Sequence, residues 1–209
     1  IEPLADDYVT LYRAPDPKKL RLYDPGIAVC PNGRLIGTFS VAGLRSQGVE
    51  IKEGKRSEQG RIYTSDDEGK TWKFRKSFRM WHFTPFVAGD KLYILGHQGD
   101  LRIISSDDWG NTWSSVSDLT NGQAWHGSAT NVWYKGDYVY IVMERRMGGK
   151  MKGGWQVSEL APVLLRGNVN KDLTKRENWT FSSEMSFRDV VDDKNLEWFG
   201  VPFYDTFYP

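Results

Sequence analysis

The sequence has little of several features that define large classes of proteins. Cys30 is the single cysteine among 209 residues, so no internal disulfide can form. The longest apolar run, Tyr138 to Met143, has six residues, far fewer than the roughly 18 that a transmembrane helix needs. Lys and Arg number 28 and Asp and Glu number 27, so the net charge is +1. We therefore expect neither a nucleic acid nor a membrane as a partner.

Glycine and aromatic residues are abundant instead. The chain has 21 Gly, 9 Trp and 10 Tyr, and 39% of its residues are hydrophobic. This apolar content is enough to bury a core. A chain that is rich in aromatics and interrupted by glycines, with only short apolar runs, is typical of all-β proteins.

One octapeptide occurs twice. Ser65–Trp72 and Ser106–Trp113 share Ser, Asp, Asp, Gly, Thr and Trp, and they start 41 residues apart. That spacing is close to the roughly 40–50 residues of a four-stranded propeller blade. The repeat therefore predicts two successive blades.

Each octapeptide is expected to form a hairpin turn. The third-position aspartate, Asp67 or Asp108, can accept backbone N–H groups across the bend. The glycine, Gly69 or Gly110, suits a position that needs a positive φ. The final tryptophan is expected to open the next strand and to pack between sheets. These roles are structural, so we expect no catalysis from these aspartates.

The pattern Ser-x-Asp-x-Gly-x-Thr-Trp is the Asp-box, and the chain resembles the sialidase-like (BNR-repeat) β-propeller superfamily from about Leu20 to Phe181. In that superfamily the Asp-box is a structural turn far from the active site. The resemblance assigns this structural role to eight residues: Ser65, Asp67, Gly69, Trp72, Ser106, Asp108, Gly110 and Trp113.

Short turns at Asn32-Gly33, Gly89-Asp90 and Gly136-Asp137 give three blades the same order of strands. We expect one all-β domain over 1–209, with four-stranded antiparallel blades at about 20–78, 79–120 and 121–185 and the start of another at 186–209. The fourth strand of the second blade is expected near 113–117, and the first strand of the third near 128–134. Because such propellers usually have about six blades, the chain is expected to be part of a six- or seven-bladed propeller.

Antiparallel topology brings the candidate functional residues to one end of the blades. In the three blades in turn, the first strand begins at Tyr23-Asp24-Pro25, at Trp81-His82 and at Trp125-His126. The second strand ends at Ser40, at His97 and at 144–146. All three histidines thus share the face that carries the active site in sialidase-like propellers. The competing interpretation is that His82 and His126 are spacers after a repeated Trp, and that His97 is a turn residue.

The chain departs from true sialidases at their Tyr/Phe-Arg-Ile-Pro motif. Pro25 aligns with the motif proline, which puts Tyr23 where the carboxylate-binding arginine should be. Arg45 resembles another active-site arginine, but no clear acid/base aspartate follows it. Neuraminic acid is therefore not the expected substrate.

We expect a carbohydrate-active enzyme that cleaves glycosidic bonds in an acidic glycan, with a glycoside hydrolase as the leading expectation and two alternatives. A glycoside hydrolase needs two carboxylates, or a His or Tyr in place of one, and Asp24 and Glu144 lie on the candidate face. A lyase acting on a rhamnose–uronate polymer needs a base and a cation that holds the uronate. A glycan-binding propeller without catalysis needs neither. The candidate catalytic residues are His82, His97, His126 and Tyr140; the candidate substrate-binding residues are Asp24, Arg45, Trp81, Trp125, Glu144, Arg145 and Arg146.

The alternative interpretation gives some of these residues only structural roles. In it, Glu144 forms a local ion pair with an arginine, and the tryptophans belong to the core between blades. The expected partner is an acidic oligo- or polysaccharide, and by its class the protein is expected to be secreted or periplasmic. No cofactor is expected. The choice between no metal and a structural Ca²⁺ or Zn²⁺ stays open, although no His-x-His or His-x-x-x-His spacing indicates one.

Overall fold

The computed structural model of the chain describes residues 8–43, 59–127, 131–147, 160–186, 189, 197–198 and 201–202. Regular structure in these residues consists mainly of β-strands, and Arg176–Asn178 form a 3-10 helix. The predicted site residue Arg45 and most of the expected further blade at 186–209 lie outside the described residues.

Two sheets have four antiparallel strands each, paired in chain order. The first sheet contains β1 (Leu20–Val29), β2 (Leu35–Gly43), β3 (Gly60–Ser65) and β4 (Lys73–Phe78). The second contains β5 (Trp81–Ala88), β6 (Lys91–Gln98), β7 (Asp100–Ser106) and β8 (Ser117–Asp118). The last strand corrects the expected range of 113–117. Ser114 ends the regular ladder early, because its Oγ accepts the Ser105 N–H at 3.0 Å.

The third sheet has five strands: β9 (Trp125–His126), β10 (Trp133–Lys135), β11 (Tyr138–Arg146), β12 (Leu160–Asn168) and β13 (Trp179–Phe181). Both β9 and β10 pair with β11. These two short strands replace the single first strand that the sequence predicted near 128–134. A separate hairpin joins β14 (Glu197–Trp198) and β15 (Val201–Pro202).

Apolar side chains fill the spaces between the sheets. One core joins the second and third sheets, with Leu95, Ile103, Ile141 and Leu165 fully buried or nearly so. Another core joins the first and second sheets around Ile36, Ile62 and Ile94. On the other side of the first sheet, Leu11 and Tyr12 cover a smaller cluster that contains Phe39 and Tyr63. The sheets are thus held face to face.

The two repeated turns have the hydrogen bonds that the sequence predicts. Asp67 Oδ1 accepts the Thr71 N–H at 2.8 Å, and Asp108 Oδ1 accepts the Thr112 N–H at 2.8 Å. The two turn glycines have φ of 87° and 92°, values at which a side chain would be strained. The aspartates thus accept backbone N–H groups across their turns, and the glycines have the positive φ, as the sequence predicts.

The two tryptophans that close these turns differ in their packing. Trp113 packs in the core between the first and second sheets, with its ring centroid 6.4 Å from that of Phe78. Trp72 instead lies with Leu11 on the outer side of its own sheet. The prediction of packing between sheets is therefore wrong for Trp72, because the N-terminal segment takes the place of a neighbouring sheet there.

Arg34 shows that the hairpin turn after β1 and both repeated turns lie at one end of the molecule. Its guanidinium donates to Asp66 Oδ2 at 3.1 Å and across to the second turn, at Trp109 O (3.1 Å) and Asn111 Oδ1 (2.9 Å). The start of β1 and the end of β2 must therefore lie at the opposite end. An all-β architecture of antiparallel sheets is confirmed, whereas the number of blades and the closure of a propeller stay predictions.

None of the helical structure that the described residues contain is long and apolar enough to cross a membrane.

Candidate active site

Two β-bulges turn Asp24 and His82 out of their strands at matching places in the first two sheets. The register of β1 against β2 shifts between Tyr23 and Gly26, and that of β5 against β6 shifts between Trp81 and Thr84. Asp24 has φ 53° and His82 has φ 54°, a conformation that residues other than glycine seldom adopt. Ser40 fixes the second bulge, because its Oγ accepts the His82 N–H at 3.1 Å.

The third sheet supplies His126 beside these two residues. His126 lies opposite Glu144 in the short β9–β11 pairing. The next residue, Gly127, has no side chain where the two sheets meet, and a Cβ built there would be 2.8 Å from the His82 Cβ. The absence of a side chain at this position therefore allows the third sheet to approach His82 closely.

The three histidines form one cluster. His82 Nδ1 lies 2.6 Å from His97 Nε2, and the two rings are stacked with centroids 4.9 Å apart. The His126 ring meets the His82 ring edge-on at a centroid distance of 4.4 Å. A single proton must be shared between His82 Nδ1 and His97 Nε2, because both nitrogens cannot donate in a 2.6 Å contact.

Asp24 is a carboxyl group with an elevated pKa at the edge of this cluster. Burial raises the pKa of Asp24 from 3.8 to about 6, and the electrostatic effect of His126 offsets part of the rise. Asp24 Oδ2 lies 3.3 Å from His82 Nε2, yet that oxygen has no partner with hydrogen-bond geometry among the described residues. Asp24 is thus poised to hold or release a proton near neutral pH.

His82 and His97 are held in the neutral form. Burial lowers the pKa of His82 to about 4, with His126 and Arg146 adding to the effect and Glu144 opposing it. Burial also holds the pKa of His97 far below its ordinary value, and its neighbours His82 and His126 lower it further. The contact between Asp24 and His82 is therefore one between a carboxyl group and a neutral imidazole, not an ion pair.

His126 and Glu144 form a dyad. His126 Nδ1 lies 2.6 Å from Glu144 Oε2, in the register position that pairs β9 with β11. An imidazole whose Nδ1–H faces a carboxylate carries its lone pair on Nε2. Glu144 thereby orients the ring and sets its tautomer.

A cavity of about 510 Å³ opens over the cluster. Asp24, His82, His97, His126 and Arg146 all line it, together with the aromatic side chains Tyr23, Trp81 and Trp125. Tyr23 is 40% exposed and Trp125 only 2%, so Tyr23 and the half-buried Trp81 offer ring faces to a ligand whereas Trp125 belongs to the core. A second groove of about 450 Å³ follows the first strands of the three sheets and shares Asp24 and His82 with this cavity.

Some predicted site residues are placed elsewhere. Arg145 does not line the cavity: its guanidinium donates to Ala124 O at 2.9 Å and to Arg146 O at 2.8 Å, and it lies over the Trp125 ring. Tyr140 lies four residues before Glu144 on β11, which is roughly 13 Å along a strand, and it does not line the cavity. The alternation of side chains along a strand does not show which part of that strand reaches a cavity.

Tyr23, Gln98 and Gly99 also line the cavity, although the sequence did not single them out as site residues. Tyr23 has the same place before Asp24 that Trp81 has before His82, so the repeat itself carried the signal. Gln98 and Gly99 directly follow His97 in the turn, and nothing in their residue types marks them as functional.

The described residues contain no group of three or more His, Cys, Asp or Glu side chains that could hold a metal ion. The closest nitrogens of the cluster face each other or a carboxylate instead of converging on one point. The titratable side chains that the cluster brings together can supply proton transfer.

No protein-family model matches the sequence, and no curated protein is significantly similar to it. Solved structures are similar to it in fold. The α-L-arabinofuranosidase from Lactobacillus brevis has a TM-score of 0.54 at 15% identity, over 81% of this chain and 57% of that one. The Penicillium chrysogenum α-L-arabinanase complexed with arabinobiose has a TM-score of 0.47 at 16% identity, over 77% and 48%.

A polysaccharide lyase of family PL25, an ulvan lyase bound to a glucuronate–rhamnose sulfate ligand, has a TM-score of 0.48 at 12% identity over 75% of this chain and 39% of that one. The chain thus spans about half the length of the solved structures that it matches. Likeness at such low identity shows a fold that glycan-active enzymes also use, and nothing about the substrate.

Proposed function

We propose that the protein is a carbohydrate-active enzyme that hydrolyses glycosidic bonds, with Asp24 as the general acid. The observation that carries this proposal is the partly buried Asp24 carboxyl, whose pKa is raised to about 6 at the wall of a cavity that His126 also lines. A carboxylic acid with a raised pKa and a second group that can act as a base are what hydrolysis of a glycosidic bond needs.

In the proposed reaction Asp24 gives its proton to the glycosidic oxygen as the bond between that oxygen and the anomeric carbon breaks. His126, oriented by Glu144, takes a proton from the water whose oxygen bonds to the same carbon. The leaving sugar gains the Asp24 proton, and the new hemiacetal keeps the water oxygen. After the product leaves, His126 gives the proton it took from water to solvent, and Asp24 regains a proton from solvent.

The neutral histidines have a positioning role in this scheme. His97 sits deeper than His82 and shares a proton with His82 Nδ1, so the tautomer of His82 depends on His97. When His97 donates, His82 has its own N–H on Nε2, the atom that faces Asp24 at 3.3 Å. His97 thus decides whether His82 presents an N–H or a lone pair toward Asp24.

The residues that line the cavity support a sugar as the ligand. Tyr23 and Trp81 present aromatic faces beside Asp24 and His82, and aromatic faces are suited to the apolar C–H surface of a sugar. Arg146 also lines the cavity, and an arginine can bind a carboxylate through two parallel hydrogen bonds. We therefore propose an acidic oligo- or polysaccharide as the substrate.

One observation favours a lyase as the second candidate. His82 is neutral at physiological pH and lies in the same cavity as Arg146, and β-elimination needs a base together with a cation on the uronate carboxylate. Tyr140 and Arg145 do not line the cavity, so His82 and Arg146 would have to supply both functions.

A panel of neutral and uronate-containing polysaccharides tests the proposal. New reducing ends and absorbance near 235 nm, the region where unsaturated uronates absorb, are measured on the same tubes with the wild type and with Asp24→Asn. Hydrolysis predicts reducing ends without absorbance, and their loss in Asp24→Asn. Reducing ends accompanied by absorbance would establish the lyase. Glycan binding without either signal would contradict both enzymatic candidates and support a binding propeller.

A further inference from the structure

Asp100 lies beside the cluster, and the proposed mechanism gives it no part. It begins β7 directly after Gly99, in the tight turn that follows β6. His97 pairs with Leu101 and Gln98 pairs with Asp100 across this turn. The same short turn therefore brings His97 to the cluster, supplies part of the cavity wall, and ends at Asp100.

The Asp100 carboxylate binds the linker 119–124, which leads from the second sheet to the third. Its Oδ1 accepts the Thr120 hydroxyl at 2.8 Å and the Gln123 N–H at 2.9 Å, and its Oδ2 accepts the Gly122 N–H at 3.0 Å. Burial alone would raise the pKa of Asp100, but the hydrogen bonds from Gln123, Thr120 and Gly122 outweigh it and hold the pKa below its usual value. The carboxylate is thus charged whenever the enzyme works near neutral pH.

The far end of this linker carries His126. The Trp125 N–H donates to Gly99 O at 2.9 Å, and the Trp125 ring N–H donates to Gln123 Oε1 at 3.0 Å. The β9 strand that follows has two residues, Trp125 and His126. Because this strand is so short, the hydrogen-bonded linker that precedes it adds to the constraint on the position of His126.

We infer that Asp100 is a positioning residue that sets His126 against His82 and Glu144 by holding the linker. It touches no substrate, and it acts through the backbone of Gly122 and Gln123. Loss of its carboxylate would leave two backbone N–H groups without their acceptor. The linker would then loosen, and the 4.4 Å ring contact between His82 and His126 and the His126–Glu144 hydrogen bond would lose their fixed geometry.

The catalytic meaning of this inference rests on the proposed function, but the placement of His126 can be measured without any substrate. The chain has three histidines, so ring ¹⁵N spectra of histidine-labelled protein give one set of signals for each. The signals are assigned with His82→Asn, His97→Gln and His126→Gln. The spectra are then recorded for Asp100→Asn and Asp100→Ala at one pH.

Asp100→Asn keeps one acceptor oxygen, so it is expected to fold even where the alanine variant does not. The expected result is a change of the His126 ring signals and a smaller change of His82, with the His97 signals kept. Asp118→Asn is the matched control. Asp118 lies on the neighbouring β8, where its exposed carboxylate accepts from Arg102 at 2.7 Å, and this variant should leave all three rings unchanged.

Turnover supplies the second readout. Misplacing a catalytic group by about 1 Å costs about 100-fold in rate, so kcat of Asp100→Asn should fall by about that factor with KM little changed. Unchanged His126 signals in both Asp100 variants would overturn the inference. A shift of all three ring signals together with a lower melting temperature would also overturn it, because that pattern indicates a general structural role. So would a shift of the His126 signals while kcat stayed at the wild-type value. If no glycan is cleaved at all, the proposed function fails, and the spectra alone decide the placement.

Discussion

At the scale of single residues, Asp24 and His82 combine an unusual backbone with a side chain whose pKa burial shifts. Both have positive φ in equivalent bulges, and such strain is often stored where a protein binds or reacts. The repeated pairs of an aromatic residue and Asp or His were visible in the sequence. The bulges were not visible in the sequence, because neither Asp nor His by its residue type indicates a positive φ.

Asp24→Asn should stabilise the protein at neutral pH. Because the folded-state pKa of Asp24 lies near 6, above its ordinary 3.8, the ionised carboxylate costs folding free energy at pH values above about 6. After a discount for its partial exposure, we expect a gain of about 1 kcal/mol at pH 7. Asparagine also tolerates positive φ well. Urea denaturation at pH 7 measures the gain.

The gain should shrink at pH 4, where the Asp24 carboxyl is protonated in the folded protein. Asp118→Asn, at an exposed ion pair, serves as the control and should not show this pH-dependent gain. A variant Asp24→Asn that is less stable than the wild type at pH 7 would mean that the carboxylate supports the fold, against the functional interpretation of its burial.

At the scale of elements, the repeated turns were the most predictable part of the molecule. Their geometry depends on side chains within one octapeptide: Ser106 Oγ accepts the Gly110 N–H at 2.7 Å, and Asp108 accepts from Asn111 and Thr112. Such local hydrogen bonds are encoded by the sequence. The divided first strand of the third sheet depends instead on which parts of the chain reach β11, and no local pattern encodes that choice.

Asp108→Ala should lower the melting temperature and leave catalysis intact. The variant loses the acceptor of the Asn111 and Thr112 N–H groups, and we expect a decrease of about 2–4 °C. The turn lies at the end of the sheets away from the cavity, so kcat/KM should stay at the wild-type value. Thermal unfolding by circular dichroism, with kinetics on the same preparations, provides both numbers.

The adjacent Asp107→Ala is the matched control for the turn. Asp107 is largely exposed and pairs with Lys91 at 2.8 Å, and exposed ion pairs contribute little to stability. An equal decrease in melting temperature in both variants would show that the negative charge, rather than the hydrogen bonds of the turn, stabilises this end of the molecule.

At the scale of the whole molecule, the candidate site exists because three sheets converge on it. The first sheet brings Asp24, the second His82 and His97, and the third His126 and Glu144. The sequence predicted this convergence because equivalent positions of a repeat must meet at one end. That Arg145 and Tyr140 do not line the cavity could not be predicted in this way, because their positions depend on the path of the linker and on where β11 ends.

The buried histidines should make the whole fold sensitive to acid. A histidine with a folded-state pKa below its ordinary 6.5 stays neutral in the folded protein while the unfolded chain binds a proton, so stability falls as the pH drops below about 6.5. His82 and His97 both act in this direction, whereas Asp24, with its raised pKa, opposes them. The net loss should be roughly 2 kcal/mol between about pH 7 and pH 5.

His82→Asn tests the origin of that loss. It replaces one of the two neutral histidines with a residue that tolerates positive φ, so the slope of unfolding free energy against pH should decrease. Urea denaturation at several pH values between about 4.5 and 7.5 gives this slope. A wild type whose stability rises on acidification would contradict the burial of neutral histidines.

The central claim is that Asp24 supplies the catalytic proton, and the pH dependence of glycan cleavage tests it most directly. The measurement is kcat/KM of the wild type and of Asp24→Asn from about pH 4.5 to 8. The account predicts a wild-type rate that falls above pH 6, following the pKa of Asp24, and a variant slower by about 100-fold or more without this falling limb. A variant that keeps the wild-type rate and the same falling limb would show that the proton comes from another group.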